Sequence, residues 1–147
     1  MRTPIAAFFS PQFIKFCVVG GLGLVTDQTI FFFVSRLVDS TSVFVNFIWL
    51  IGYSVAVLQN YLINHYWTFR DETRETPASG KGFASFFLIS VAALLPRFLA
   101  YKTVILLLGT TSVVLNVANI CGIVTGTAVN FLGSKFLVFK RKEHAIL

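Results

Sequence analysis

The chain has 147 residues, of which 56% are hydrophobic and 12% are charged, and its mean hydropathy is +0.79. Soluble domains carry about 25% charged residues, so these charges are too few to cover a water-soluble fold. The composition excludes a disordered chain, a disulfide scaffold and a typical soluble enzyme, and it indicates one integral membrane domain over residues 1–147. Cys17 and Cys121 lie in apolar segments, and His65 and His144 lie far apart, so we expect no disulfide, metal or cofactor.

Four apolar stretches are long enough to cross a membrane, since a hydrocarbon core about 30 Å thick needs about 20 helical residues. They are residues 16–38, 43–64, 83–108 and 113–134. Helices are expected because an open sheet edge cannot be satisfied in lipid, which predicts an all-α membrane fold. The loops at residues 39–42 and 109–112 are short, so the helices should form two antiparallel hairpins, joined by the polar linker 65–82.

Most basic residues fall on one side of these four predicted spans, which holds Arg2, Lys15, Arg70, Arg74, Lys81, Lys135, Lys140, Arg141 and Lys142. The other side holds Arg36 and, at most, Lys102. The positive-inside rule therefore predicts that both termini and the linker are cytoplasmic. An aromatic belt is expected at that interface, formed by Tyr66, Trp67, Phe69, Phe136 and Phe139. Topology and contact with anionic membrane lipids account for the net charge of +6, so we expect no nucleic-acid partner.

The two halves of the chain align without gaps when the segment 13–69 is placed on the segment 83–139. We call this the repeat alignment. Eight identities fall within positions 41–69 and their counterparts, and they include two minority residue types, in the pairs Asn60 with Asn130 and Gly52 with Gly122. Because each repeat holds two spans, the two repeats should have the same orientation, as in parallel-repeat transporters. The alternative is that two similar hairpins arose from hydrophobic patterning alone.

The repeat alignment also places Asp27 opposite Arg97, each near the middle of its span. A charged residue at the midplane costs about 2.5–3.5 kcal/mol on an insertion scale, so each should face the bundle interior. Two compatible interpretations stay open: a structural ion pair, and a path on which Arg97 meets a substrate anion. Pro96 removes a backbone hydrogen bond and predicts a kink or break just before Arg97. Lys102 lies on a different helical face, where it either contacts the anion or snorkels outward.

Asparagines recur in the second and fourth spans. Asn60 and Asn64 are one helical turn apart near the cytoplasmic mouth, and Asn130 lies in the fourth span. Amide side chains there either bond across helices, for about 0.6 kcal/mol on average, or hold a polar headgroup together with Lys15 and Lys135. The first span also carries a glycine cluster that suggests close helix packing, at Gly20, Gly21 and Gly23.

Three segments of the chain resemble the GtrA-like family of small membrane proteins. They are FIKFCVVGG at residues 13–21, NYLINHYWTF at 60–69 and AVNFLGSKFLVF at 128–139. The resemblance covers nearly the whole chain, and its most specific element is the pattern Asn–x3–Asn–x2–Trp–x–Phe that begins at Asn60. The second repeat departs from this pattern, with Ser134 and Leu137 at the corresponding positions.

The resemblance implies a flippase rather than an enzyme, located in the bacterial cytoplasmic (inner) membrane. Such a protein moves a polyprenyl-phosphate-linked monosaccharide, for example undecaprenyl-phosphate glucose, to the periplasmic leaflet for O-antigen or other surface polysaccharide synthesis. Guanidinium suits the phosphate because it donates two parallel hydrogen bonds. The expected headgroup contacts are Lys15, Asp27, Asn60, Asn64, Arg97, Lys102, Asn130 and Lys135.

Two other functions stay open. A small multidrug or cation exporter would use Asp27 to bind protons and cations in competition, although Arg97 would repel a cationic drug. A membrane partner of a glycosyltransferase would dock the enzyme on the basic cytoplasmic rim. The sequence has no convergent nucleophile, base and oxyanion donors, so an enzyme is the weakest hypothesis. Four helices are few to enclose a sugar, and we therefore expect a homodimer.

Overall fold

The computed structural model describes residues 8, 10–36 and 44–140, and the regular structure within these ranges is entirely helical. The elements are α1 (Pro11–Val34), α2 (Phe44–Ile63), π1 (Asn64–Thr68), α3 (Arg70–Thr73), α4 (Gly80–Ala92), α5 (Leu94–Leu108), α6 (Ser112–Gly133) and π2 (Ser134–Val138). The segments π1 and π2 are single-turn π-helices. The predicted loop 39–42 and the predicted end of the first span lie outside the described residues.

Three stretches of the described chain are long and apolar enough to cross a membrane: Pro11–Val34, Gly80–Leu108 and Ser112–Val138. The sequence predicts four such spans. The remaining predicted span corresponds to α2, a helix of 20 residues, which is not among the three. The all-helical membrane fold is therefore confirmed, and a fourth span stays a prediction.

The chain divides into two compact units. The N-terminal unit is Pro11–Ala78, and the C-terminal unit is Ser79–Leu147 together with Met1–Ser10. The boundary between Ala78 and Ser79 falls within the predicted linker 65–82. Each unit is described by itself below.

The N-terminal unit contains an antiparallel hairpin of α1 and α2. Asp27 of α1 lies against Gly52 of α2, and Gly23, one turn earlier in α1, lies against Asn60 further along α2. A Cβ atom at Gly23 would be 2.5 Å from Asn60 Oδ1, so a larger side chain would displace this amide. The predicted close packing of Gly23 is confirmed.

The same prediction is wrong for Gly20 and Gly21. Both are exposed, and a Cβ atom added at either one would meet nothing within 4 Å in the described structure. Sequence composition alone does not distinguish these glycines from Gly23, since only the rotation of α1 decides which of them contacts α2.

In the C-terminal unit, one apolar stretch is interrupted at Ala93, between α4 and α5. Pro96 has no N–H group to donate to Ala92, four residues earlier. The Arg97 N–H bonds to the Ala93 carbonyl at 3.3 Å, which is longer than the usual helical bond. The predicted break just before Arg97 is thus confirmed.

Two glycines of α6 let it approach α5 closely. A Cβ atom at Gly122 would lie 2.9 Å from the Arg97 carbonyl oxygen, and one at Gly126 would lie 2.9 Å from Arg97 Cβ. Small residues at such positions let helix backbones pack tightly in membranes. The connection between α5 and α6 is short, as predicted, and begins at Gly109, which has a φ of 87°.

Each unit extends a long helix into a π-helix. The Phe69 N–H donates to the Asn64 carbonyl at 2.8 Å, and the Phe139 N–H donates to the Ser134 carbonyl at 2.8 Å. The predicted linker 65–82 therefore begins inside π1 instead of after the helix. Polar composition suggested a loop here, but bonds from residue i+5 to residue i continue the helical backbone.

The phenylalanines that follow the two π-helices are core residues. Phe69 is 0% exposed and Phe139 is 2% exposed. Phe69 packs on Phe16 with ring centroids 6.2 Å apart, and Phe139 packs on Phe86 at 6.0 Å. Their predicted place in an interfacial belt is wrong, because each ring packs on a helix of its own unit. The other predicted belt residues are exposed, namely Tyr66, Trp67 and Phe136.

Candidate functional site

Asp27 lies in the interior of α1 with a half-buried side chain. Its Oδ1 atom is buried and has no hydrogen-bond partner among the residues that the structure describes. A Cβ atom at Gly52 would lie 2.8 Å from this oxygen, so glycine at position 52 leaves room for the carboxylate. Gln28 Nε2 lies 3.5 Å from the other carboxylate oxygen, which is at the limit of a hydrogen bond.

Asn60 lies on the face of α2 that contacts α1. Its Oδ1 atom is buried, again without a hydrogen-bond partner in the described ranges. Directly beside it, Thr26 Oγ1 donates to Gln59 Oε1 at 2.9 Å, so the two helices also meet through a paired polar contact. The interface of α1 with α2 is therefore partly polar.

Three polar side chains are buried in π1, those of Asn64, His65 and Thr68. Asn64 is 1% exposed and Thr68 is 3% exposed. Asn64 Oδ1 and Thr68 Oγ1 are buried without a hydrogen-bond partner within residues 8, 10–36 and 44–140. By contrast, Thr73 Oγ1 donates to the His65 carbonyl at 2.6 Å, and His65 Nε2 lies 2.9 Å from the Thr76 carbonyl.

We call four atoms of the N-terminal unit the unpaired oxygens: Asp27 Oδ1, Asn60 Oδ1, Asn64 Oδ1 and Thr68 Oγ1. Gly52, which lies against Asp27, is twelve residues before Asn64, so the row extends about 18 Å from Asp27 to Asn64 at 1.5 Å per residue, and Thr68 continues it into π1. Leaving a buried polar atom without a partner costs about 1–3 kcal/mol. Such a group in a native protein calls for an explanation, and a role in binding a ligand is one.

Glu72 carries a fifth such atom, Oε2, at the end of the same unit. Its other oxygen, Oε1, accepts a hydrogen bond from Gln12 Nε2 at 2.7 Å. All side-chain atoms of this kind that occur among the described residues belong to the N-terminal unit.

Lys15 lies at the same end of the N-terminal unit as π1. Its Nζ atom is 5.4 Å from the centre of the Trp67 ring, within the range of a cation–π contact. The structure thus places Lys15, Asn60 and Asn64 at one end of a single hairpin.

The corresponding asparagine of the C-terminal unit is paired. Asn130 Nδ2 donates to Ser90 Oγ at 3.3 Å, and Asn130 Oδ1 lies 3.3 Å from the donor Ser134 Oγ. The repeat alignment places Gly20 at the position of Ser90, and glycine has no side chain to pair with Asn60. Asn60 lies instead against Gly23, one turn further along α1. Lys135, the residue after Ser134, places its Nζ atom 5.6 Å from the centre of the Phe131 ring.

Arg97 lies on α5, directly after the break at Ala93. Its backbone and Cβ contact Gly122 and Gly126, but its side chain is exposed, so the expectation that Arg97 faces the bundle interior is not confirmed among the described residues. Asp27 belongs to the other unit. The ion-pair interpretation and the transport-path interpretation both remain hypotheses.

Lys102 is also exposed, five residues after Arg97 on α5. Its Nζ atom lies 5.5 Å from the centre of the Phe98 ring on the same helix. This contact holds the ammonium group along its own helix.

A cavity of about 440 Å³ lies beside π1 in the N-terminal unit. Its lining includes His65, Tyr66, Arg70, Arg74 and Glu75. From the sequence, both arginines are predicted to set the topology and to contact lipid. Their shared cavity adds positive charge next to the end of the hairpin that holds the unpaired oxygens.

Two polar residues of these sites were missed from the sequence: Thr68 and Ser90. Thr68 was placed in the linker, and Ser90 has a side-chain type that is common in any membrane helix. The repeat carries a signal for Ser90, because the repeat alignment pairs it with a glycine while the asparagines are preserved.

The comparison with curated proteins finds no match to this chain. A family match covers residues 15–145, and the family is described as GtrA/DPMS, transmembrane domain. This match indicates a membrane function related to polyprenyl-phosphate sugars. Since it covers far more than half of the sequence and agrees with the resemblance of residues 13–21, 60–69 and 128–139, the chain belongs to the GtrA/DPMS transmembrane domain family.

Proposed function

We propose that the protein flips a polyprenyl-phosphate-linked monosaccharide from the cytoplasmic to the periplasmic leaflet. The observation that carries this proposal is the exposed side chain of Arg97 inside the apolar stretch Gly80–Leu108. A charge there costs about 2.5–3.5 kcal/mol on an insertion scale, and an anion passing through the membrane would offset that cost. The family match supports a polyprenyl-phosphate sugar as that anion.

The chemistry of such a substrate suits a small helical protein. The phosphodiester is a permanent anion, to which a guanidinium donates two parallel hydrogen bonds. The sugar needs polar contacts, while the prenyl tail stays in lipid, so no covalent step is required. The residues proposed to contact the headgroup besides Arg97 are Lys15, Asp27, Asn60, Asn64, Lys102, Asn130 and Lys135.

We further propose four spans arranged as two parallel repeats, 13–69 and 83–139. Matching contacts support this arrangement. Phe16 packs on Phe69, and at the equivalent positions of the repeat alignment Phe86 packs on Phe139. The π-helices π1 and π2 also occupy equivalent positions. Each repeat would then hold one charged residue that contacts a glycine of its second helix.

The proposed setting is the bacterial inner membrane, with both termini and the linker 65–82 in the cytoplasm. A homodimer would double the number of helices available to enclose a sugar. Undecaprenyl-phosphate glucose is the first substrate to test, and a membrane glycosyltransferase would be the functional partner that uses the sugar after transfer.

The test is a transfer assay in proteoliposomes. Purified protein is reconstituted with undecaprenyl-phosphate glucose, and the sugar in each leaflet is measured by labelling with a reagent that does not cross the membrane. We expect transfer by the natural protein, a loss of at least about 100-fold in Arg97→Ala because two charge-assisted hydrogen bonds disappear, and a smaller loss in Arg97→Lys, which keeps the charge but not the planar donor pair.

Arg36→Ala is the matched control for Arg97→Ala. Arg36 is exposed near the end of α1, with its guanidinium carbon 3.7 Å from the centre of the Phe32 ring, and its removal should leave the transfer rate unchanged. Full transfer by a folded Arg97→Ala protein would refute the role of Arg97. Proton-coupled export of a cation, or copurification with a glycosyltransferase without any lipid transfer, would overturn flipping in favour of an exporter or an enzyme partner.

A further inference from the structure

The chemistry of the unpaired oxygens restricts the ligand that they can take. Asn60 Oδ1 and Asn64 Oδ1 are amide carbonyl oxygens, and Asp27 Oδ1 is a carboxylate oxygen. Such oxygens only accept hydrogen bonds. A ligand that binds them must therefore carry a hydrogen-bond donor. A phosphodiester has no N–H or O–H group, and a prenyl chain has no polar group at all. Of the parts of a polyprenyl-phosphate sugar, only the sugar hydroxyls donate.

We propose that the N-terminal unit binds the sugar of the transported lipid through the unpaired oxygens, and that the phosphate is held elsewhere. This inference rests on the proposed flippase function, and it assigns the sugar and the phosphate to different binding sites. Asn64 and Thr68 make the first contacts at π1, and Asn60 and Asp27 follow along the hairpin toward the membrane interior. Sugar selectivity then belongs to Pro11–Ala78.

Among the described residues, the C-terminal unit has no comparable unpaired acceptors at the equivalent positions. Asn130, the counterpart of Asn60, is engaged with Ser90 and Ser134. Ser134, the counterpart of Asn64, donates its hydroxyl to Asn130, and position 138, the counterpart of Thr68, is a valine. The polar side chains at these positions are hydrogen bonded to one another, so they offer a sugar hydroxyl no unpaired acceptor.

The location of π1 fits a site that opens and closes. The unpaired oxygens are buried in this state, with Asn64 only 1% exposed, so a sugar reaches them only after a side chain or the π-helical turn moves. The cationic cavity at Arg70 and Arg74 lies beside the same turn.

The decisive comparison uses two lipids that differ in whether the sugar carries hydroxyl donors. Undecaprenyl-phosphate glucose and its tetra-O-methyl analogue have the same phosphate and the same prenyl chain, but the methylated sugar cannot donate hydrogen bonds. We expect the full-length natural protein in detergent to bind the glucose lipid at least about tenfold more tightly, since each hydrogen bond contributes about 0.5–1.5 kcal/mol.

Two substitutions remove an acceptor while preserving size: Asn64→Leu and Thr68→Val. Each should reduce the preference for the glucose lipid to less than about threefold, mostly by weakening binding of that lipid. Replacing a buried polar atom that lacks a partner with an apolar group is close to neutral for stability. We therefore expect both variants to fold with an unchanged or raised thermal midpoint, which keeps the binding result interpretable.

Ser134→Ala is the matched control, because Ser134 occupies in π2 the position that Asn64 occupies in π1. It should keep the tenfold preference and lower the thermal midpoint, because it removes the hydrogen bond to Asn130. Arg97→Ala should weaken binding of both lipids by the same factor and so leave the preference unchanged.

The outcomes separate this inference from the proposed function. If the natural protein binds and transfers both lipids equally well, or if Asn64→Leu and Thr68→Val keep the full preference, sugar recognition by the unpaired oxygens is overturned while flipping stands. If the natural protein transfers neither lipid, the flippase function itself fails.

Discussion

The N-terminal unit and the C-terminal unit use the same apolar contacts. Phe16 packs on Phe69 in one, with ring centroids 6.2 Å apart, and Phe86 packs on Phe139 in the other at 6.0 Å. In both units a π-helix places the second phenylalanine in the core. The backbone hydrogen bond that closes each π-helix is 2.8 Å long. Corresponding positions therefore support the same local fold in both units.

The polar groups at corresponding positions behave differently. Asn130 is hydrogen bonded to Ser90, whereas Asn60 has Gly20 at the corresponding position and keeps a buried oxygen without a partner among the described residues. Asp27 in one unit corresponds to Arg97 in the other. The same hairpin fold therefore has paired polar side chains in the C-terminal unit and, among the described residues, unpaired ones in the N-terminal unit, because the residues differ at a few positions.

The largest expected change in stability tests whether the two units have equivalent aromatic cores. Phe69→Ala and Phe139→Ala should each lower the free energy of unfolding by about 3–5 kcal/mol, because each removes a fully buried ring and leaves a cavity. Thermal or denaturant unfolding in detergent measures the effect. Phe136→Ala is the control in π2, since this ring is 44% exposed, and it should change stability by less than about 1 kcal/mol. A large loss in only one unit would break the similarity of the two cores.

A smaller change in stability tests the glycines that lie against Asp27 and Arg97. Gly122→Ala should lower the free energy of unfolding by about 1–3 kcal/mol, because its Cβ would meet the Arg97 carbonyl oxygen at 2.9 Å. Gly52→Ala should cost less, since its contact at 2.8 Å is with the Asp27 carboxylate, which can rotate away.

Gly21→Ala is the control for both glycine substitutions, because a Cβ atom there would meet nothing within 4 Å among the described residues. Equal losses in Gly122→Ala and Gly52→Ala, measured in the same detergent, would contradict the distinction between a backbone contact and a side-chain contact.

Hydropathy and proline chemistry predicted the positions of the helices and the break before Arg97, because both depend on properties of single residues. The π-helices were not predicted, since a bond from residue i+5 leaves no signature in composition. The burial of Phe69 and the exposure of Gly20 were also missed, because both depend on helix rotation. The predicted polar residues did include Asn60 and Asn64, but the sequence did not reveal that the equivalent Asn130 would be paired.

The smallest expected change in stability tests why Asn130 is hydrogen bonded and the Asn60 oxygen is not. Gly20→Ser places a hydroxyl at the position that corresponds to Ser90, where Ser90 bonds to Asn130. A Cβ atom at Gly20 meets nothing within 4 Å in the described structure, so the serine fits without a clash. If it pairs with Asn60, the free energy of unfolding should rise by about 0.6 kcal/mol, the average for such bonds in membranes.

If the new hydroxyl pairs with Asn60, the same substitution should also reduce sugar transfer several-fold, because it occupies an oxygen that the substrate needs. Gly21→Ser is the control: it adds the same side chain at an equally unobstructed neighbouring position, and a hydroxyl there points about 100° away around the helix. It should leave transfer unchanged. A Gly20→Ser protein that gains stability and transfers the sugar at the natural rate would show that the unpaired oxygen of Asn60 is a structural accident of this hairpin, with no part in recognising the substrate.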